Sequence, residues 1–307
     1  MKDLILIAVA ACLMSPLLAE PAITSSFADS LKELGVSWNV VDYEDNVFKG
    51  WSMDDVRAIL RAEQTPPTWL LKADDDDGLD RDNSFNPKLP DHFDPREKWP
   101  GCIHPIRDQG HCGSCWAHGS SEALSDRFCI AGKDVIISPQ DLVSCDPHDK
   151  GCNGGGDITP YMYLSEPGAV SDACFPYVSG TGHVPPCVTK CANGEPLVRH
   201  RCVLGSVVVK AIVGTQQQEL YDHGPLSTAF SVYQDFIYYK SGVYSHKTGE
   251  LLGGHAIKVL GWGVEGELRY WLCANSWGTK WGENGFFRIK IGDSGIMDRG
   301  VGCTPHT

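Results

Sequence analysis

The sequence is poor in basic residues, with 26 Lys and Arg against 39 Asp and Glu in 307 residues, a formal charge of −13. That balance excludes the broad basic face a nucleic-acid partner needs. Long apolar runs are also lacking. Leu4 to Met14 is too short to cross a bilayer, and nothing later resembles a membrane span. There is no internal repeat and no Asn-x-Ser/Thr acceptor, so sorting through N-glycans is not expected. Of 13 cysteines, none falls between Cys12 and Cys102, so any disulfide framework must lie in the later two thirds of the chain.

What is present divides the chain into three. Met1-Lys2-Asp3, the apolar run and Ser15-Pro16-Leu17-Leu18-Ala19 read as a secretory signal over 1–19. An oxidising route suits the cysteine content. Residues 20–88 carry fifteen acids and seven bases, a balance of −8, and include the like-charge run from Lys72 to Gly78, which should be solvated. Within them, Phe27 to Leu34 and Met53 to Ala62 have helical apolar spacing. They read as an acidic pro-segment. From Leu89 onward Gly, Trp and Cys become dense. Ser114 to Ile130 predicts a helix, whereas Gly254–Gly261, Arg269–Asn275 and Phe286–Ile291 predict strands. Residues 89–307 are therefore expected to form a mature domain of α+β class, a helical lobe followed by a β-rich one.

Chemistry concentrates in Gln109-Gly110-His111-Cys112-Gly113-Ser114-Cys115-Trp116. Two cysteines three residues apart could be a redox pair, half of a zinc site, or a structural cysteine beside a nucleophile. No second Cys/His pair has zinc-finger spacing, and no thioredoxin-like β-α-β pattern surrounds the stretch. Cys115 would begin a helix, where unpaired N–H groups favour a thiolate. His255 is a candidate base, Asn275 an acceptor that could orient its ring, and Gln109 a donor that could complete an oxyanion hole with the Cys115 N–H. His111, His118 and His183 are read as surface or core residues.

These stretches, with Gly151-Cys152-Asn153-Gly154-Gly155, Gly254-His255-Ala256 and Asn275-Ser276-Trp277-Gly278, resemble the papain-like cysteine peptidases. Leu89-Pro90-Asp91 to Cys102, Arg107-Asp108-Gln109 and Glu122 to Arg127 are similar to the cathepsin B branch. The resemblance implies a two-lobe fold, a helical left lobe and a β-barrel-like right lobe with the active-site cleft between. It implies Cys115 as nucleophile, Gly154 and Gly155 as an edge for extended substrate, and Trp277 as the cover of the His–Asn bond. It also implies pairing of Cys102 with Cys129, Cys112 with Cys152, Cys145 with Cys187 and Cys174 with Cys191. Cys202–Cys303 is then an expected fifth bridge, with Cys273 free. Arg299 takes the place of a glutamate in the specificity pocket. Between Cys174 and Cys187 the chain has twelve residues and a single histidine, His183, too short for the family's occluding loop. Endopeptidase activity is expected in consequence. No metal or organic cofactor is implied. The implied partners are protein and peptide substrates, the chain's own pro-segment and cystatin-like inhibitors, in the secretory route, a lysosome-like vesicle or outside the cell. The alternative is a binding protein on the same fold, without catalysis.

Overall fold

A computed structural model describes residues 19–63 and 85–307. The expected signal sequence, Ala19 apart, and the acidic run at 72–78 lie outside them.

The leading segment opens with α1 (Ser25–Glu33), β1 (Trp38–Val40), α2 (Met53–Ile59) and β2 (Ala62–Glu63). Both helices occur where apolar spacing predicts them, and hydroxyl caps hold both starts. Thr24 Oγ1 accepts from Phe27 N at 3.2 Å, and Ser52 and Asp55 form a reciprocal capping box. Ala28 and Leu31 of α1 and Val56 and Ile59 of α2 are buried in the same apolar cluster as the large sheet.

A short helix α3 (Pro95–Lys98) packs against the second lobe, with Arg96 over Phe286 and Lys98 over Tyr221. The first lobe contains α4 (Cys115–Ile130), α5 (Pro139–Cys145), β3 (Gly155–Gly156), α6 (Thr159–Ser165) and the antiparallel pair β4 (Ala169–Val170) and β5 (Arg199–His200). Helix α4 is buried all round from Cys115 to Phe128 rather than on one apolar face. Two of its buried charged side chains are anchored by hydrogen bonds. Asp126 accepts from Lys258 Nζ at 2.6 Å, and Arg127 Nε donates to Pro225 O at 2.7 Å.

The second lobe comprises β6 (Val208–Lys210), α7 (Val213–His223), β7 (Leu226–Tyr233), β8 (Tyr239–Tyr244), β9 (Leu251–Glu265), β10 (Leu268–Ala274), β11 (Phe286–Lys290) and β12 (Gly300–Gly302). One sheet runs β1-β8-β11-β10-β9-β7-β12-β6, antiparallel except for β11 on β8. The leading segment supplies one edge of it through β1. The lobes meet where α4 lies on β9, and Gly119 permits that approach, since a Cβ there would sit 3.1 Å from Ile257 O. All five expected disulfides are present, and Cys115 and Cys273 are free and buried.

Candidate active site

The site lies on the α4–β9 contact. Cys115 is the first residue of α4 and His255 lies on the inner part of β9, so the seating of the helix on the strand brings thiol and imidazole to one place. His255 Nε2 is 2.7 Å from Asn275 Oδ1, which leaves Nδ1 as the ring nitrogen without a protein partner. The Trp277 ring stacks on the imidazole at 4.7 Å, and Asn275 is buried beneath it. Gln109 is buried, and its Nε2 donates to Cys112 O at 2.9 Å. The structure thus gathers Gln109, Cys115, His255, Asn275 and Trp277.

Gly154 and Gly155 flank the same cleft, and the leading segment runs along them. β2 pairs parallel with β3, Ala62 opposite Gly155, while Arg61 bridges to Gly254. Gly155 N donates to Arg61 O at 3.2 Å, and Gln109 Nε2 donates to Ile59 O at 3.1 Å. The track needs glycine. Gly154 has φ +114°, and a Cβ there would lie 2.5 Å from Arg61 O; Cβ atoms at Gly253 and Gly254 would meet Leu60 O at 2.4 Å and Ala62 O at 2.2 Å. Aromatic contacts fasten the segment further along. Trp51 stacks on His111 at 4.0 Å, and Phe48 meets Trp277 edge-on at 5.1 Å.

This covering inverts the electrostatics expected from a helix start. Burial pushes the Cys115 thiol up, and backbone hydrogen bonds at Ala256, Arg61 and Trp116 only oppose it. Burial likewise lowers His255 to about 4, with the Asn275 bond opposing. Both groups are neutral while the segment is in place. The helix terminus alone does not make the thiolate, because the leading chain excludes the water that would solvate it.

Arg299 stands immediately before β12. Its Nη2 lies 3.2 Å from Asp157 Oδ2, and its side chain is 17% exposed against 2% for Asp157. The guanidinium therefore meets a buried carboxylate just beyond β3. His118 and His111 are a core residue and a residue of the segment contact, and His183 is exposed.

Three contributors escaped the sequence reading. Ser276 Oγ donates to Gln109 Oε1 at 2.6 Å, which fixes the amide so that its NH₂ faces the cleft. Tyr177 OH donates to Gln109 O at 2.9 Å from the first lobe. Asp157 partners Arg299. Ser276 sits inside a motif that was noted, but no local pattern ties it to Gln109, 167 positions away.

Comparison with known proteins agrees with this geometry. The profile of the papain family cysteine proteases matches residues 89–302. The chain is 39% identical to cathepsin B-like CP3 of Giardia intestinalis, covering 92% of this chain and 94% of that one. Against cathepsin B-like cysteine proteinase 4 of Caenorhabditis elegans the identity is 37%, over 99% of both chains. Among solved structures, procathepsin B S9 of Trypanosoma congolense superposes with a TM-score of 0.81 at 31% identity, covering 94% of this chain and all of the other. Procathepsin L2 of Tenebrio molitor larval midgut does so at 0.69 and 25% identity, over 91% and 88%. With a catalytic domain of this profile, a two-lobe fold and a leading segment laid out as in the proforms, the chain belongs to the papain family of cysteine proteases, in its cathepsin B-like branch.

Proposed function

We propose that the chain is a cysteine endopeptidase made as a secreted zymogen, and that it hydrolyses peptide bonds through a Cys115 thioester. The observation that carries this reading is the occupation of the Gln109 amide by a carbonyl of the leading segment, Ile59 O at 3.1 Å. A donor that already holds a peptide carbonyl beside the nucleophile is suited to the oxyanion of a tetrahedral intermediate. Once residues 20–88 are removed, the thiol and His255 regain water and can exchange a proton. The Cys115 sulfur attacks the scissile carbonyl, His255 gives its proton to the leaving amine, and the same ring then draws a proton from the water that cleaves the acyl-enzyme. Asn275 orients the imidazole, and Trp277 shields that bond. Gly154 and Gly155 pair with extended substrate as they pair with Arg61 and Ala62. Arg299, with Asp157, shapes the pocket that reads the side chain two positions before the cut. The signal-like N-terminus and five disulfides support the secretory route and a secreted or lysosome-like destination. Cystatin-like inhibitors fit the vacated cleft.

The test is labelling of Cys115 by an epoxide-bearing peptide after proteolytic removal of the leading segment. Stoichiometric labelling with loss of peptide cleavage is expected. Absence of labelling at mildly acidic pH would leave the papain-fold binding protein as the reading.

A further inference from the structure

Behind the glycine edge, away from the thiol, lies a group of carboxyls that no step above uses. Asp146 ends α5 and is 8% exposed; Asp149 lies three residues on, in the loop to β3. Their side chains are within hydrogen-bond reach of each other. Each uses Oδ1 elsewhere. Asp146 Oδ1 accepts from His148 N at 2.9 Å, while Asp149 Oδ1 accepts from Gly156 N at 2.8 Å and Thr159 Oγ1 at 2.7 Å. The two Oδ2 atoms are buried and have no protein donor. Two carboxylates cannot hydrogen-bond without a proton between them, and like charges this close in a shielded site do not both ionise at the ordinary pH.

The surroundings offer no other neutraliser. Among the described residues neither carboxyl is ion-paired with Lys or Arg. The groups that face the pair are Asp141 of α5, which disfavours charge on Asp146, and His148 of the loop, which favours charge on Asp149. Asp141 already holds Arg199 of β5 at 3.1 Å, and Lys150 points to Glu63 of β2 at 2.6 Å. Burial first, then Asp149, pushes Asp146 up to about 7.

We infer that Asp146 and Asp149 share one proton and act as a pH-sensitive brace for the substrate edge, holding β3 in its extended-pairing geometry in acid and releasing it near neutral pH. The route is short. Asp149 fixes the Gly156 amide and the start of α6, and a Cβ on Gly155 would lie 2.7 Å from Asp149 Oδ1 and 2.6 Å from the Trp116 ring, so the carboxylate, the edge and the residue after Cys115 are packed as one block. Loss of the shared proton sets two anions against each other and drives Asp149, in the loop beyond α5, away from Asp146. Its movement takes the 2.8 Å acceptor from Gly156 and leaves that amide only the longer bond to Thr159 Oγ1 at 3.2 Å. The functional weight of this rests on β3 receiving substrate; the brace itself does not, and it is tested without activity.

The experiment uses the full chain with Cys115→Ser, ¹³C-labelled at aspartate, from pH 6 to 8.5. Two carboxyl resonances should titrate together with a midpoint near neutrality, and exchange protection of the Gly156 amide, corrected for the intrinsic pH effect, should fall about tenfold across the same midpoint. Asp146→Asn supplies a permanent N–H to Asp149 and should abolish both changes. Asp149→Asn should remove the titration while its Oδ1 still accepts from Gly156, and so serves if the first variant does not fold. Ordinary midpoints below about 5 for both carboxyls, or an undiminished loss of Gly156 protection in the variants, would overturn the brace.

Discussion

Acid should open the zymogen through His255. In the covered chain the ring is neutral and held at about 4, whereas its ordinary value is 6.5. When the segment lifts, the ring meets water and recovers that value. Above pH 6.5 both states are unprotonated there and the closed form keeps its full advantage. Between 6.5 and 4 the open form takes up a proton that the closed form refuses, so closure weakens; below 4 the effect levels off. The gap of about 2.5 pH units is worth about 3 kcal/mol at roughly 1.4 kcal/mol per unit, or on the order of 300-fold in the opening equilibrium. The acidic leading segment offers less. Among the described residues its contact with a cation of the catalytic domain is Glu63 with Lys150, both more than half exposed, a class of pair worth little. The assay is hydrogen exchange at Gly155, whose N–H is held by Arg61 O, in the full chain with Cys115→Ser. The opening constant should rise at least a hundredfold from pH 7 to pH 4. In the same chain with His255→Asn, which does not titrate, the rise should shrink to a few-fold. An equal rise in both chains would refute the reasoning and place the trigger on groups other than His255.

Four further outcomes follow from the geometry. Gly253→Ala places a Cβ 2.4 Å from Leu60 O, so the full-length variant should label at Cys115 with a small thiol reagent at least tenfold faster than the parent at pH 7; an unchanged rate would show that Gly253 does not seat the segment. Because Asp157 already neutralises Arg299, Asp157→Asn should bare the guanidinium and lower the ratio of kcat/KM for dipeptide substrates bearing Arg against Val two positions before the cut, by about tenfold for a charge pair in a partly shielded cleft; an unmoved ratio places the pair outside the pocket. Peptides with free C-termini should yield internal fragments, and dominance of released dipeptides would contradict the endopeptidase assignment. Cys273, wholly buried with its thiol pushed up by burial, should resist alkylation until the chain unfolds, which peptide mapping with and without denaturant reads directly.

Local patterns mark the helix at 115–130 and the two helices of the leading segment through apolar spacing, and the three long strands through β-branched and aromatic residues bounded by glycines. Cys115, His255, Asn275 and Gln109 are legible as candidates from their chemistry, whereas four of the disulfide pairs come by resemblance and Cys202–Cys303 from the cysteines left over; the five bridges and the His255–Asn275 bond are present. What no local pattern reveals is pairing across the chain. Arg299 reads from the sequence only as a residue in a glutamate's place, and its partner Asp157, 142 positions earlier, carries no motif; the fold alone joins them, at 3.2 Å. The Asp146–Asp149 contact is close in sequence yet equally hidden, since a charge-rich loop ordinarily reads as solvated, whereas Asp146 is buried at the end of α5. The state of the thiol escaped for a similar reason. A helix start argues for a thiolate, but the segment that suppresses it is more than fifty residues upstream.

The strand β1 has a consequence for how the protein is built. Trp38–Val40 closes the edge of the large sheet by pairing with β8, and the Trp38 ring is wedged beside Tyr239 and Tyr244 at 6.1 and 5.4 Å. A catalytic domain synthesised without residues 20–63 would have to condense its sheet with the Tyr239–Gly242 edge bare and an aromatic slot open to water, a template for strand addition by another unfolded copy. Renatured alone, that domain should lose material to aggregation in proportion to concentration, and the leading segment supplied in trans should recover it by occupying the edge while the sheet assembles.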